Sequence, residues 1–92
     1  MNAALHYRFP PASAYRLNRC LYALKSNAGF RKRFLADARA ATAEFGLGDD
    51  EHDALVGGDR ERLLERGAHA YLVFMADLRL RMERGTTTFE YF

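Results

Sequence analysis

The chain has 92 residues, with 14 Lys and Arg set against 12 Asp and Glu for a formal net charge of +2. This length holds one domain rather than two, and so mild a charge lacks the basic excess of a typical nucleic-acid binder. With 49% hydrophobic and 28% charged residues, the composition excludes intrinsic disorder.

Residues 1–12 contain Pro10 and Pro11 and show no helical period, so they read as an extended N-terminal arm. They lack the basic start and long apolar core of a signal peptide. The longest strictly apolar run, 70–76, falls well short of the roughly 20 residues that cross a bilayer, so no membrane segment is expected. Cys20 is the single cysteine, which rules out an internal disulfide and fits a reducing, cytoplasmic setting.

Ser13 is a candidate N-cap for a first helix over 14–26, whose inward face is Leu17, Cys20, Leu21 and Leu24. Asn27 can cap a second helix over 28–45, with Phe30, Phe34, Ala38, Ala41 and Phe45 along one side and Gly46 as its stop. Asp49, Asp50 and Glu51 suit the positive end of a third helix, 49–56, which Gly57 and Gly58 terminate. Asp59 caps a fourth, 59–66. Gly67 then separates it from a fifth, 68–83, with a main stripe of Tyr71, Met75, Leu78 and Met82.

Leu72, Val73, Phe74 and Leu80 make that last helix apolar on nearly every side. It is therefore either the enclosed centre of the domain or a helix shared between the core and a partner. The expected core is Leu17, Leu21, Leu24, Phe34, Phe45, Leu55, Leu63, Tyr71, Met75 and Leu78. The fold class is all-α: one compact domain of about five short helices over 13–84, between the arm and a strand-prone aromatic tail over 85–92.

Chemistry-bearing groupings are scarce. His6, His52 and His69 never fall at i, i+4, and no cysteine or carboxylate joins them at a metal-ligand spacing. His69 reads first as a hydrogen-bonded helix-start residue, His52 as an exposed neighbour of Asp53, and Cys20 as a buried structural thiol. Three cationic groups, 31–33, 60–66 and 79–84, are interleaved with acids or lie along helices, so solvated ion pairs are their default reading. No catalytic residue and no metal ligand is expected. What stands out is a surplus of large apolar side chains, Tyr71 to Met75 with Phe89, Tyr91 and Phe92, of the kind that interfaces bury.

Several segments, taken in order, carry a family resemblance over residues 14–78. They are Tyr15-Arg16-Leu17-Asn18, then Arg31-Lys32-Arg33-Phe34-Leu35-Ala36-Asp37, then Asp59, Leu63-Leu64, Gly67 and Tyr71 at matching spacings. In these the chain resembles the alpha (small) subunit of protocatechuate 4,5-dioxygenase and related extradiol ring-cleavage dioxygenases. That family often has Gly and Asn where Ala68 and His69 stand here, and a threonine cap at the position of Gly48.

The resemblance implies a helical domain that docks on a large (beta) subunit and covers its active site. That large subunit holds a ferrous iron through two histidines and a glutamate and opens catechol-type rings by meta cleavage. Asn18, His69, Phe74, Phe89, Tyr91 and Phe92 are the residues expected at the partner interface or pocket lining. A homodimer is expected where the large subunit is missing. The rival reading is a stand-alone helical protein-binding adaptor or weak nucleic-acid-binding module working through the arginine faces.

Overall fold

The computed structural model describes residues 12–85, and the arm ahead of Ala12 and the tail residues 86–92 lie outside the described residues. Six α-helices and no strand occur among the described residues, as the all-α reading requires. They are α1 Ala12–Ser26, α2 Ala28–Ala36, α3 Ala38–Ala43, α4 Asp49–Gly57, α5 Arg60–Glu65 and α6 Ala70–Glu83. The first begins at Ala12, which places Ser13 inside its opening turn rather than ahead of it.

The expected single helix over 28–45 is two. Asp37 leaves the helical region at φ −154° and ψ 87°, closing α2 and capping α3 at once. Its carboxylate accepts the Ala40 N–H at 3.1 Å. A short acid that competes for backbone donors can end one helix and begin another, so an uninterrupted apolar period did not reveal the break. Asn27 caps α2 as expected, its side-chain oxygen accepting the Phe30 N–H at 2.9 Å. Ahead of α4, Gly48 has no side chain to offer. Glu51 instead turns back to accept the Gly48 N–H at 2.9 Å, half of a capping box.

The core is continuous. Leu17, Cys20, Leu21 and Leu24 of α1 meet Phe30, Phe34, Ala41, Ala54, Leu55 and Leu63, all buried. Phe45 packs at the edge of this core, its ring 5.3 Å from Phe30 and nearly perpendicular to it.

The final helix corrects the expected phase. Val73, Ala76 and Leu80 are buried, whereas Tyr71 is 53% exposed, Phe74 60% and Met82 42%, with Met75 and Leu78 only half-buried. Two apolar stripes compete on α6. The one with smaller side chains faces inward because Ala76 lets the helix approach α1 closely, so a count of large residues selects the wrong side. An enclosed central helix is thereby excluded.

The most extensive helix pairing is α1 with α6. Asn18 meets residues 67 and 69 at the start of α6. Arg31 donates to the carbonyls of Leu24 and Lys25 at the end of α1 and pairs with Glu83 at the end of α6. The two helices therefore lie side by side in the same direction.

Candidate functional site

The junction between α5 and α6 is built around three residues. Gly67 sits at φ +96°, and a Cβ placed there would lie 2.8 Å from the Cβ of buried Ala14, so only glycine allows the loop to rest on α1. The Asn18 amide nitrogen donates to the Gly67 carbonyl at 3.1 Å, and its oxygen accepts the His69 N–H at 2.8 Å. His69 then caps α6, its Nδ1 accepting the Tyr71 N–H at 3.2 Å. One asparagine thus pins both sides of the bend, and the bend sets the direction from which Tyr71 and Phe74 project.

Asn18 and His69, both anticipated from sequence, are brought together, and His69 plays the helix-start role expected of it. Phe74 is not part of that junction. It lies along a groove between α4, α5 and α6, over Leu55, Leu63, Val73 and Leu80. Asn18 instead borders a shallow depression with Tyr15, Arg19, Tyr22, Ala23 and Phe45. Phe89, Tyr91 and Phe92 lie outside the described residues.

The depression on α1 was missed by the sequence reading. Tyr15 is 63% exposed and Tyr22 57%, and the Arg19 guanidinium lies 5.9 Å from the ring centres of both Tyr15 and Phe45. The clue was present in the spacing: Tyr15, Arg19 and Tyr22 recur at i, i+4, i+7 on the side of α1 opposite its apolar stripe.

Six of the described cations serve ion pairs, Arg31 with Glu83 among them. Arg66 binds Asp50 and Glu51, Arg62 approaches Asp50 and Asp59, Arg33 meets Glu44, Arg39 meets Asp49, and Arg81 meets Asp77. Apart from Arg31–Glu83, each of these pairs joins residues on the same or adjacent elements, as expected of solvated ion-paired faces. His52 is less exposed than expected, its Nδ1 lying 2.9 Å from the Asp53 carboxylate. Burial, and secondarily the negative charge of Glu44, pushes the Cys20 thiol up to about 12, so it is held as a neutral packing group. Among the described residues, no three His, Cys, Asp or Glu side chains converge as a metal-binding set.

The ordered segments on α1, α2, α5 and α6 agree with a comparison against protein families. The model of the aromatic-ring-opening dioxygenase LigAB, LigA subunit, matches residues 17–85. The chain belongs to this family. Comparison with curated proteins and with solved structures returns no match. The LigA-subunit match begins at Leu17 in α1 and ends at Gly85 past α6, so it takes in the Asn18–Gly67–His69 junction and Phe74. Phe89, Tyr91 and Phe92 fall beyond it. Family membership makes the chain a small subunit of an aromatic-ring-opening dioxygenase. Within the matched span, His69 caps α6 through its ring nitrogen. No helix among the described residues is long and apolar enough to cross a membrane.

Proposed function

We propose that this chain is the non-catalytic small subunit of an extradiol, meta-cleaving dioxygenase, which docks on a large subunit and covers its active site over a catechol-type substrate. The observation that carries this reading is the family match over residues 17–85. The exposed rings of Tyr71 and Phe74, beside a junction held rigid by Asn18, support it, because aromatic side chains left in water on an ordered frame are what an interface buries.

A ferrous iron of the two-His, one-carboxylate type needs three converging ligands. The described residues do not assemble such a set, and the proposal assigns the iron and its ligands to the large subunit. Once bound, that iron supplies the oxygen chemistry of ring opening. This chain's residues have a different task. Phe74 and Tyr71 exclude water from the covered mouth. His69 accepts the Tyr71 N–H through Nδ1, so in its neutral form the proton sits on Nε2, available to donate to a substrate oxygen. A reduced Cys20 and a ferrous partner both suit the cytoplasm. Where the large subunit is missing, the same exposed rings would pair two copies of the chain.

Co-expression with the product of the neighbouring gene tests the reading. The expected result is a stable complex on size exclusion, iron in the complex but not in the isolated small chain, and catechol-dependent oxygen uptake that rises when the small chain is added. If the neighbour is no extradiol large subunit and no iron-containing protein binds, the proposal fails.

A further inference from the structure

We propose that the outer face of α1 anchors an acidic segment of the partner protein, with Arg19 gripping a carboxylate and Tyr15 and Tyr22 flanking the side chain beside it. The inference rests on the docking reading above and names the face and the partner chemistry that this reading leaves open.

Charge comes first. The 15 residues of α1 hold Arg16, Arg19 and Lys25 and no acid. None of these three enters an ion pair among the described residues, whereas Arg31, Arg33, Arg39, Arg62, Arg66 and Arg81 do. Glu44 stands next to Phe45 in the chain, but Arg33 already holds its carboxylate at 3.1 Å. The first turn of α6, which Asn18 joins to α1, also carries no acid. A face with cations and no counterion of its own is complementary to an acidic surface.

Arg19 is held in place for this task. Its guanidinium lies 5.9 Å from the ring centres of both Tyr15 and Phe45, so two aromatic rings fix its position. The Lys25 ammonium lies 5.2 Å from the ring centre of Tyr22, and the Arg16 side chain passes Gly46, its Cδ 3.4 Å from where a Cβ would stand. A planar guanidinium already oriented by its neighbours loses little freedom on binding, and its paired N–H groups match the two oxygens of a carboxylate.

Shape sets the kind of partner. Tyr15, Asn18, Arg19, Tyr22, Ala23 and Phe45 surround a shallow depression of about 290 Å³, with room for one side chain next to the carboxylate. A single depression bounded by rings, on a chain of net charge +2, favours a protein segment over a phosphate chain, which needs a continuous basic track. Asn18 borders the depression and also pins the bend from which Tyr71 projects, so this face is continuous with the exposed rings assigned above to docking.

The isolated full chain tests this in an amide NMR titration with a short peptide of alternating glutamate and leucine at low salt. Expected are saturable shifts between Tyr15 and Lys25 and at Phe45, weakening as salt is raised. Arg19→Glu should weaken binding at least about tenfold. Arg60→Glu, the same charge change at an exposed arginine of α5, should leave it within about twofold, because rim charges away from a contact matter little. Both variants should keep the wild-type thermal midpoint, since both side chains are exposed. If the peptide leaves α1 unshifted, or the two variants weaken it equally, the proposal is wrong. If an oligothymidylate binds this face more tightly than the peptide, the occupant is nucleic acid and the proposal is equally wrong. Co-expression of Arg19→Glu with the large subunit separates the two readings. A wild-type complex that Arg19→Glu leaves intact overturns this face as the anchor while docking stands; a failure of the wild-type chain to form any complex overturns docking, and the peptide titration still decides the chemistry of the face.

Discussion

Replacing Gly67 with alanine tests the junction on which the candidate site depends. At φ +96° an L side chain is strained, and the left-handed region costs about 1–2 kcal/mol per residue. The new Cβ would stand 2.8 Å from the Cβ of Ala14, a fully buried atom on the rigid helix α1, so loop and helix must separate by roughly 1 Å. Overpacking of this kind costs about 1–3 kcal/mol. Stiffening the unfolded chain returns about 0.4–1 kcal/mol. The net expectation is a loss of about 2–4 kcal/mol, a large share of the 5–15 kcal/mol of a typical domain, and a fall in thermal midpoint of about 8 °C or more. Urea unfolding followed by circular dichroism measures it. Gly57→Ala is the control: it ends α4, a Cβ added there would meet nothing within 4 Å, and the change is expected to be neutral or up to about 1 kcal/mol stabilising. Adding Ala14→Gly to Gly67→Ala should recover the overpacking part and leave the backbone strain. A Gly67→Ala protein within about 0.5 kcal/mol of wild type would refute the argument.

Phe34→Ala should cost about 3–5 kcal/mol in the same assay, because the ring is 2% exposed at the centre of the core; a loss below about 1 kcal/mol would contradict that placement. Asp37→Ala should cost about 0.5–2 kcal/mol through the lost cap, whereas a stabilised protein would mean that α2 and α3 join into one helix once the acid is gone. For Cys20 the folded thiol titrates above its ordinary value of 9.0, at about 12. Below 9.0 both states hold the proton and the stability is unaffected. Between 9.0 and 12 only the unfolded state releases it, so stability should decline with rising pH by up to about 1.4 kcal/mol per unit. Cys20→Ala should remove that slope, and an unchanged pH profile would show that the thiol is not its source. Asn18→Ala removes two hydrogen bonds at the α5–α6 bend and should cost about 1–3 kcal/mol while raising amide exchange at His69 and Tyr71; unchanged exchange there would show that the bend holds itself.

The amino-acid sequence by itself determined the helical class, the caps at Asn27 and Asp59, the inward face of α1 and the family. Each of these is local or ordered along the chain: a 3.6-residue period, a short polar side chain beside free N–H groups, a run of residues in a set order. Three features were decided only by the tertiary structure. The phase of α6 depends on which of two apolar stripes can approach α1, and only the contact between Ala76 and its neighbours selects Val73 and Leu80 over Tyr71 and Phe74. The break at Asp37 comes from a cap set inside a continuous apolar period, and only the structure shows that the carboxylate takes the Ala40 N–H rather than pointing to solvent, with Ala41 and Thr42 buried beyond it. The union of Asn18 with Gly67 and His69 spans 49 and 51 residues of chain, and no periodicity within one helix encodes a meeting between two. A helix reports its own amphipathic pattern, but which face becomes the site depends on what the rest of the chain leaves uncovered.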